Sequence, residues 1–203
     1  MSTPLRHARP AALFLSCLAL LPAAAWAHTG ADLGAHAHSV AAALAAGFAH
    51  PLTGPDHLAA MIAVGLWSAL SQRAPWQAPV AFVAALLAGA LLGGAGFASP
   101  AVEPMIAASL LALGLLVATR GRLPAAAGLA LVAGFALCHG VAHGTELAGP
   151  HAIAALTGMA LASALLHGAG LGIGAALRRS NAWLTGLLGG SVALFGATLL
   201  VLR

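Results

Sequence analysis

Charged residues are too scarce in this chain for it to fold as a soluble domain, and this scarcity is the strongest constraint on its structure. Of 203 residues, 61% are hydrophobic and only 6% are charged, whereas soluble domains carry about 25% charged residues. Such a chain cannot cover a surface that faces water, so most of its length must contact lipid. We therefore predict an all-α fold, a polytopic helical bundle in a membrane.

The basic charge balance does not indicate a protein that binds nucleic acid. The eight basic residues are all arginines and give a formal net charge of +4. They stand in short segments between apolar blocks, so they form no basic face on a soluble fold. They report membrane topology instead, because arginine in short loops marks the cytoplasmic side.

The amino-terminal segment has the features of a secretory signal peptide. A basic start is followed by an apolar stretch too short to span a membrane and by an A-x-A cleavage signal that ends at Ala27. We therefore predict a signal peptide at 1–27 and a membrane domain at 28–203. His28 would then be the mature amino terminus, outside the cytoplasmic membrane of a bacterium. The alternative is an anchor that stays uncleaved.

Six apolar blocks follow the predicted leader, and the arginines decide how they cross the membrane. The approximate bounds of the blocks are 39–71, 78–98, 101–119, 123–143, 151–177 and 182–202. About 20 helical residues cross the hydrocarbon core, so each of the last five blocks predicts one span. If the first block also crosses once, every arginine-bearing loop between blocks faces the cytoplasm. We therefore predict six spans, the first one broken, with both mature ends in the periplasm.

Glycines four residues apart mark candidate helix contacts. Such pairs occur in three blocks, at Gly89 and Gly93, Gly170 and Gly174, and Gly186 and Gly190. Small residues at this spacing let helices approach closely in lipid, although glycine is common in membrane helices in general. The pairs predict a tightly packed bundle and carry no information on chemistry.

The first block is interrupted by a polar motif, HPLTGPDH, at residues 50–57. Pro51 and Pro55 each remove a backbone donor, and Gly54 admits backbone angles that other residues avoid, so a continuous helix is not expected there. Thr53 and the aspartate three residues later resemble a capping box. This pattern predicts that a second half-helix begins near Thr53.

Asp56 and His57 would then lie at the positive end of the second half-helix. That location favours an ionised carboxylate and a neutral imidazole, the states that bind a cation. An ionised group at membrane depth costs about 2.5 to 3.5 kcal/mol and is usually functional, and transporters use broken helices to hold substrates. With His50, these residues predict half of a cation site. Met61 is a weaker candidate, because methionine on an apolar face is more often a packing residue.

A second polar cluster lies in FALCHGVAHGTEL, at residues 135–147. His139, His143 and Glu146 fall on one face if this segment is helical. Two imidazoles and a carboxylate form a ligand set suited to nickel, zinc, copper or iron. Cys138 points about 100° away around the helix, so we expect it to pack rather than to bind metal.

Further histidines lie outside these two motifs. His167 is in the middle of the fifth predicted span, where a lone histidine is more often a hydrogen-bonded structural residue than a metal ligand. Ser163 precedes it by one turn. The mature amino terminus carries His28, His36 and His38, which predict a capture site for a borderline cation, the alternative being a solvated linker.

These features resemble the HupE/UreJ family of bacterial nickel permeases over essentially the whole chain. The resemblance rests on a leader that ends just before a histidine, on His50 followed after five residues by Asp56-His57, and on the motif HGVAHGTE at residues 139–146. The family usually has phenylalanine before the His-Gly of the second motif. This chain has Cys138 there, a departure expected to affect packing more than ligation.

The resemblance implies a secondary transporter that takes up nickel, or cobalt in some relatives, from the periplasm to supply hydrogenase or urease. The amino-terminal histidines would collect the ion and pass it to a membrane site. That site would be built from His50, Asp56 and His57 facing His139, His143 and Glu146. The metal is then the transported substrate, and no prosthetic group or nucleic acid is expected. Membrane lipid is an expected partner, and a homo-oligomer of undetermined size stays open.

The residues by themselves leave two other function classes open. One is a metal-dependent intramembrane hydrolase, in which the same histidines would hold zinc and activate a water, with Asp56 or Glu146 as the base. The other is a membrane-held receptor that passes metal to a partner without translocating it. No ATP-binding motif is visible, so a transporter would be driven by gradients or by trapping of the metal in the cytoplasm.

Overall fold

The part of the chain that the structure describes is entirely helical, which confirms the all-α prediction. The computed structural model describes residues 38–202. The predicted signal peptide, His28 and His36 lie outside these residues. The described helices are α1 (Val40–Thr53), α2 (Pro55–Ser71), α3 (Gln77–Gly94), α4 (Val102–Ala118), α5 (Ala125–Glu146), α6 (Ala152–Leu177) and α7 (Ala182–Val201).

The helices have the length and surface of a membrane protein. Four of them, α3, α5, α6 and α7, are long and apolar enough to cross a membrane singly. The apolar helices α1 and α4 are shorter, with 14 and 17 residues. Large apolar side chains such as Leu91, Ile153 and Leu165 are exposed on the outside of the bundle. An exposed apolar surface of this extent is typical of contact with lipid.

The first apolar block is broken at Gly54, inside the polar motif. Gly54 is extended, with φ −86° and ψ 110°, and α2 begins at Pro55. The predicted capping box is wrong, because Gly54 and not Thr53 is the amino-terminal cap of α2. The Thr53 hydroxyl instead donates to the His50 carbonyl oxygen at 3.0 Å. A residue before proline avoids helical angles, and this places the cap directly before Pro55.

The two half-helices follow one another along α6. Gly47 of α1 packs against the backbone of Ala155 near the start of α6. Gly65 of α2 packs against the backbone of His167 in the second half of α6. The chain therefore advances in the same direction on both sides of the break. The two half-helices form one broken segment beside a single helix of 26 residues.

Two of the three predicted glycine pairs lie at close helix contacts. A Cβ at Gly89 or Gly93 of α3 would overlap the backbone of α5. A Cβ at Gly170 or Gly174 of α6 would press into α2. At these contacts the backbone of α3 lies directly against that of α5, and the backbone of α6 lies directly against that of α2. A larger residue at these positions would not allow so close an approach.

The third predicted glycine pair is wrong. Among the described residues, no atom lies within 4 Å of a Cβ added at Gly186 or Gly190. The helix α7 instead packs on α4 through Gly189 and Gly196. Because α7 is apolar on every side, the spacing of its glycines does not reveal which side meets a neighbour.

Arginine side chains gather at one end of the bundle. Arg120 donates to the carbonyl oxygens of Leu177 and Ser180 at 3.1 and 3.0 Å. Arg178 donates to the Ala69 carbonyl oxygen at 2.8 Å, and with Arg73 and Arg122 it lines an open cleft of about 940 Å³. This arginine end therefore joins the loops after α2, α4 and α6.

Paired glycine substitutions on α6 test the helix contacts. Gly170→Ala is expected to destabilise the protein by about 1 to 3 kcal/mol, because its Cβ would overlap the backbone of α2. Gly172→Ala meets open space and is expected to stabilise it by about 0.5 to 1 kcal/mol, because alanine is the better helix former. Unfolding of the purified protein in mixed detergents measures both changes. Equal effects of the two substitutions would contradict this contact face.

Candidate metal site

Histidines from three helices converge beside the break between α1 and α2. His50 comes from the last turn of α1, His57 from the first turn of α2 and His143 from the last turn of α5. One nitrogen of each ring lies within 4.8 Å of the others. Bonds from imidazole nitrogen to a metal are about 2.0 to 2.1 Å long. A small inward movement of the rings would therefore let one ion contact all three nitrogens.

The ring packing within this group is close. The centroid of His143 lies 4.4 Å from that of His57 and 4.6 Å from that of His50. The His50 and His57 centroids are 5.8 Å apart. The three imidazole rings therefore form one packed group.

The start of α2 supplies a carboxylate to the same place. Asp56 and His57 are only 0% and 2% exposed. The Asp56 carboxylate accepts a hydrogen bond from the His57 backbone N–H at 2.9 Å, and its Oδ1 lies 3.9 Å from His57 Nε2. The partial positive charge at a helix start stabilises a buried carboxylate. The break therefore places an anionic group and an imidazole together inside the bundle.

Glu146 connects the two sequence motifs at the edge of the group. Its Oε2 lies 3.4 Å from His50 Nε2 and 3.4 Å from His143 Nδ1. The side chains of Glu146 and His50 are 26% and 18% exposed, whereas His143 is fully buried. The group is therefore accessible from the side of Glu146 and His50. We call His50, Asp56, His57, His143 and Glu146 the outer cluster.

His139 lies one turn deeper on α5, beside the outer cluster. Its ring centroid is 5.4 Å from that of His57, and the residue is fully buried. Its Nδ1 lies 2.9 Å from the Phe135 carbonyl oxygen. A carbonyl oxygen only accepts hydrogen bonds, so Nδ1 carries the proton and Nε2 presents a lone pair. This backbone contact is the arrangement that orients metal-binding histidines.

His167 is not part of the outer cluster. It lies on α6, and the ring of Phe82 packs against it with centroids 4.8 Å apart. Phe82 also packs against His139, at 5.9 Å. Phe82 is not among the candidates predicted from the sequence, because a phenylalanine in an apolar span resembles any other packing residue. Only the fold shows that it contacts two of the candidate histidines.

The remaining sequence candidates are not among the side chains whose contacts define the outer cluster. His38 is exposed just before α1. Met61 is fully buried in the apolar core. Cys138 is half-buried on α5, one residue from His139. These positions agree with the packing interpretation of Met61 and Cys138.

Comparison with known proteins identifies the family. The model for the family described as HupE / UreJ protein matches residues 15–199. A curated relative, Protein HupE of Rhizobium leguminosarum bv. viciae, is 44% identical over 80 residues, which are 39% of this chain and 37% of that protein. The alignment thus spans little more than a third of the relative. No solved structure matches the chain. Because the family model covers most of the chain, the protein belongs to the HupE/UreJ family.

Proposed function

We propose that this protein takes up nickel, or cobalt, across the inner membrane of a bacterium and so supplies the maturation of metalloenzymes such as hydrogenase or urease. The observation that carries the proposal is the outer cluster, in which His50, His57 and His143 bring their nitrogens within 4.8 Å of one another inside a membrane bundle. Imidazole and carboxylate ligands suit a borderline divalent cation. Membership of the HupE/UreJ family supports the same function.

We infer a topology of six spans with the mature amino terminus in the periplasm. Helix directions support it. The broken segment and α6 run the same way, and so do α3 and α5, whose contacts advance together from Gly89 on Leu137 to Gly93 on Val141. The helices α4 and α7 run in opposite directions. Six alternating crossings require this combination, and the arginine end would face the cytoplasm.

The transported ion would enter where the outer cluster is exposed. Periplasmic His28, His36 and His38 would collect the hydrated cation, and Glu146 and His50 would be the first membrane residues to meet it. Imidazole and carboxylate would then replace water in its coordination shell as it moves toward His57 and His143. Such a site would also take copper and zinc, because affinity follows the Irving–Williams order. Selectivity would therefore come from geometry and from metal supply.

Transport fits the site better than the two alternative functions. A structural site with a closed tetrahedral ligand set would hold its metal permanently. The outer cluster is instead open at one edge, and three of its five side chains come from the two sides of a helix break. Transporters commonly use broken helices to hold a substrate inside the membrane. A hydrolase would need a coordination position for water and a path for a larger substrate. We therefore propose no enzymatic activity.

Removal of ligands from the outer cluster tests the function in cells. His57→Ala and His143→Ala are each expected to lower the uptake of radioactive nickel at least about tenfold, because the loss of one ligand weakens the site. His151→Ala is the matched control, since it removes an imidazole from the start of α6. Uptake is measured at equal abundance in the membrane. Normal uptake in both cluster variants would refute the proposal.

Reconstitution separates transport from the alternatives. Proteoliposomes that contain only this protein are expected to accumulate nickel in the lumen when a chelator is trapped inside, because a chelated ion cannot leave. A receptor would bind nickel without filling the lumen, and a hydrolase would consume a lipid or peptide. Liposomes with the His57→Ala variant serve as the control for leakage.

Metal binding should also stabilise the folded protein. A ligand that binds only the folded state at about 100 times its dissociation constant stabilises it by about 2.7 kcal/mol. We expect nickel to raise the unfolding midpoint of the purified intact protein and of His151→Ala. The same addition should leave His57→Ala nearly unchanged. An equal shift in all three proteins would place the stabilising metal outside the outer cluster.

A further inference from the structure

His167 is a further buried imidazole, and it does not belong to the outer cluster. The residue is 1% exposed, and its Nδ1 lies 2.6 Å from the Ser163 carbonyl oxygen. The carbonyl accepts, so Nδ1 carries the proton and Nε2 keeps its lone pair. No described residue offers a hydrogen-bond partner to this Nε2. His167 therefore has the orientation and tautomer of a metal-binding histidine.

The hydroxyl of Ser163, one turn earlier on α6, is also a buried polar group. Ser163 is fully buried, and within the described part of the chain its Oγ has no hydrogen-bond partner. Residues four apart lie on one face of a helix. Two neighbouring buried polar groups without partners are unfavourable, so the arrangement indicates a ligand that is present only part of the time.

Phe82 lies next to both His167 and His139, the histidine one turn deeper than the outer cluster. Its ring packs on His167 and on His139, with centroids 4.8 and 5.9 Å away. His139 in turn packs on His57 at 5.4 Å. A series of rings, each in contact with the next, therefore leads from the outer cluster to His167, and Phe82 is its one member without a nitrogen that can coordinate a metal.

The position of His167 along α6 places it on the way to the arginine end. Ten residues, or about 15 Å of helix, separate it from the last residue of α6, Leu177. Beyond Leu177, Arg178 contacts the Ala69 carbonyl oxygen. His167 thus lies between the outer cluster and the end that carries the arginines.

We propose that His167 and Ser163 form a second site for the transported divalent cation, the inner site, separated from the outer cluster by Phe82. The proposal deepens the transport function and rests on it. The inner site offers one imidazole and one hydroxyl, whereas the outer cluster offers three imidazoles and two carboxylates. Because it has fewer and weaker ligands, it binds the ion less tightly and releases it toward the arginine end. Water completes the coordination.

The test compares His167→Ala with His151→Ala, which removes the imidazole of the amino-terminal cap of the same helix. Three quantities are measured on the full chain: nickel uptake by proteoliposomes, the affinity for Ni²⁺ in detergent, and the number of Ni²⁺ ions bound at saturation. His167→Ala is expected to lower uptake about tenfold, to keep the affinity of the outer cluster within about twofold and to bind one Ni²⁺ fewer than the intact protein. His151→Ala should match the intact protein in all three.

Two results would overturn the inner site. One is an unchanged number of bound ions in His167→Ala. The other is a loss of outer-cluster affinity in that variant, which would make His167 a support for the outer cluster. Ser163→Ala keeps the imidazole. It should lower nickel uptake and the number of bound ions less than His167→Ala does, and it should leave the affinity of the outer cluster unchanged. If the intact protein fills no liposomes, the transport proposal fails, and the number of ions bound in detergent still decides whether the inner site exists.

Discussion

The break at Gly54 is the constraint on which the rest of the site depends. A membrane helix satisfies its own backbone groups and offers a cation nothing but side chains on one face. Ending α1 at Thr53 and restarting the chain at Pro55 creates a helix start inside the bundle, with its partial positive charge and its directed N–H groups. That start stabilises the Asp56 carboxylate, and the last turn of α1 carries His50 to the same point.

The helix that carries the other half of the site is positioned by close backbone contacts. Gly140 and Gly144 flank His143, and a Cβ at either glycine would overlap the backbone of α3. These glycines press α5 against α3 and so fix the position of its histidines. The glycines of the HGVAHGTE motif therefore contribute to the site together with its ligands, because they determine the positions of the imidazoles.

The sequence predicts much of this arrangement because membrane helices follow simple rules. Composition predicted the helical bundle, and the helical periodicity placed His139, His143 and Glu146 on one face. The capping box at Thr53 failed, because a capping pattern does not weigh the restriction that Pro55 places on the residue before it. The glycine pair of α7 failed because an evenly apolar helix has no marked face. The contact of Phe82 with His139 and His167 depends on how three helices pack, which no local pattern contains.

The arginine end has a consequence for the electrostatic field at that end of the bundle. Arg120 and Arg178 donate to backbone carbonyls and are thereby fixed around the loops after α2, α4 and α6. Fixed positive charges repel a divalent cation over roughly 8 to 10 Å at physiological ionic strength. A divalent cation would therefore meet a repulsive field at this end from either side. The arginines that join these loops thus also form an electropositive surface at this end of the bundle.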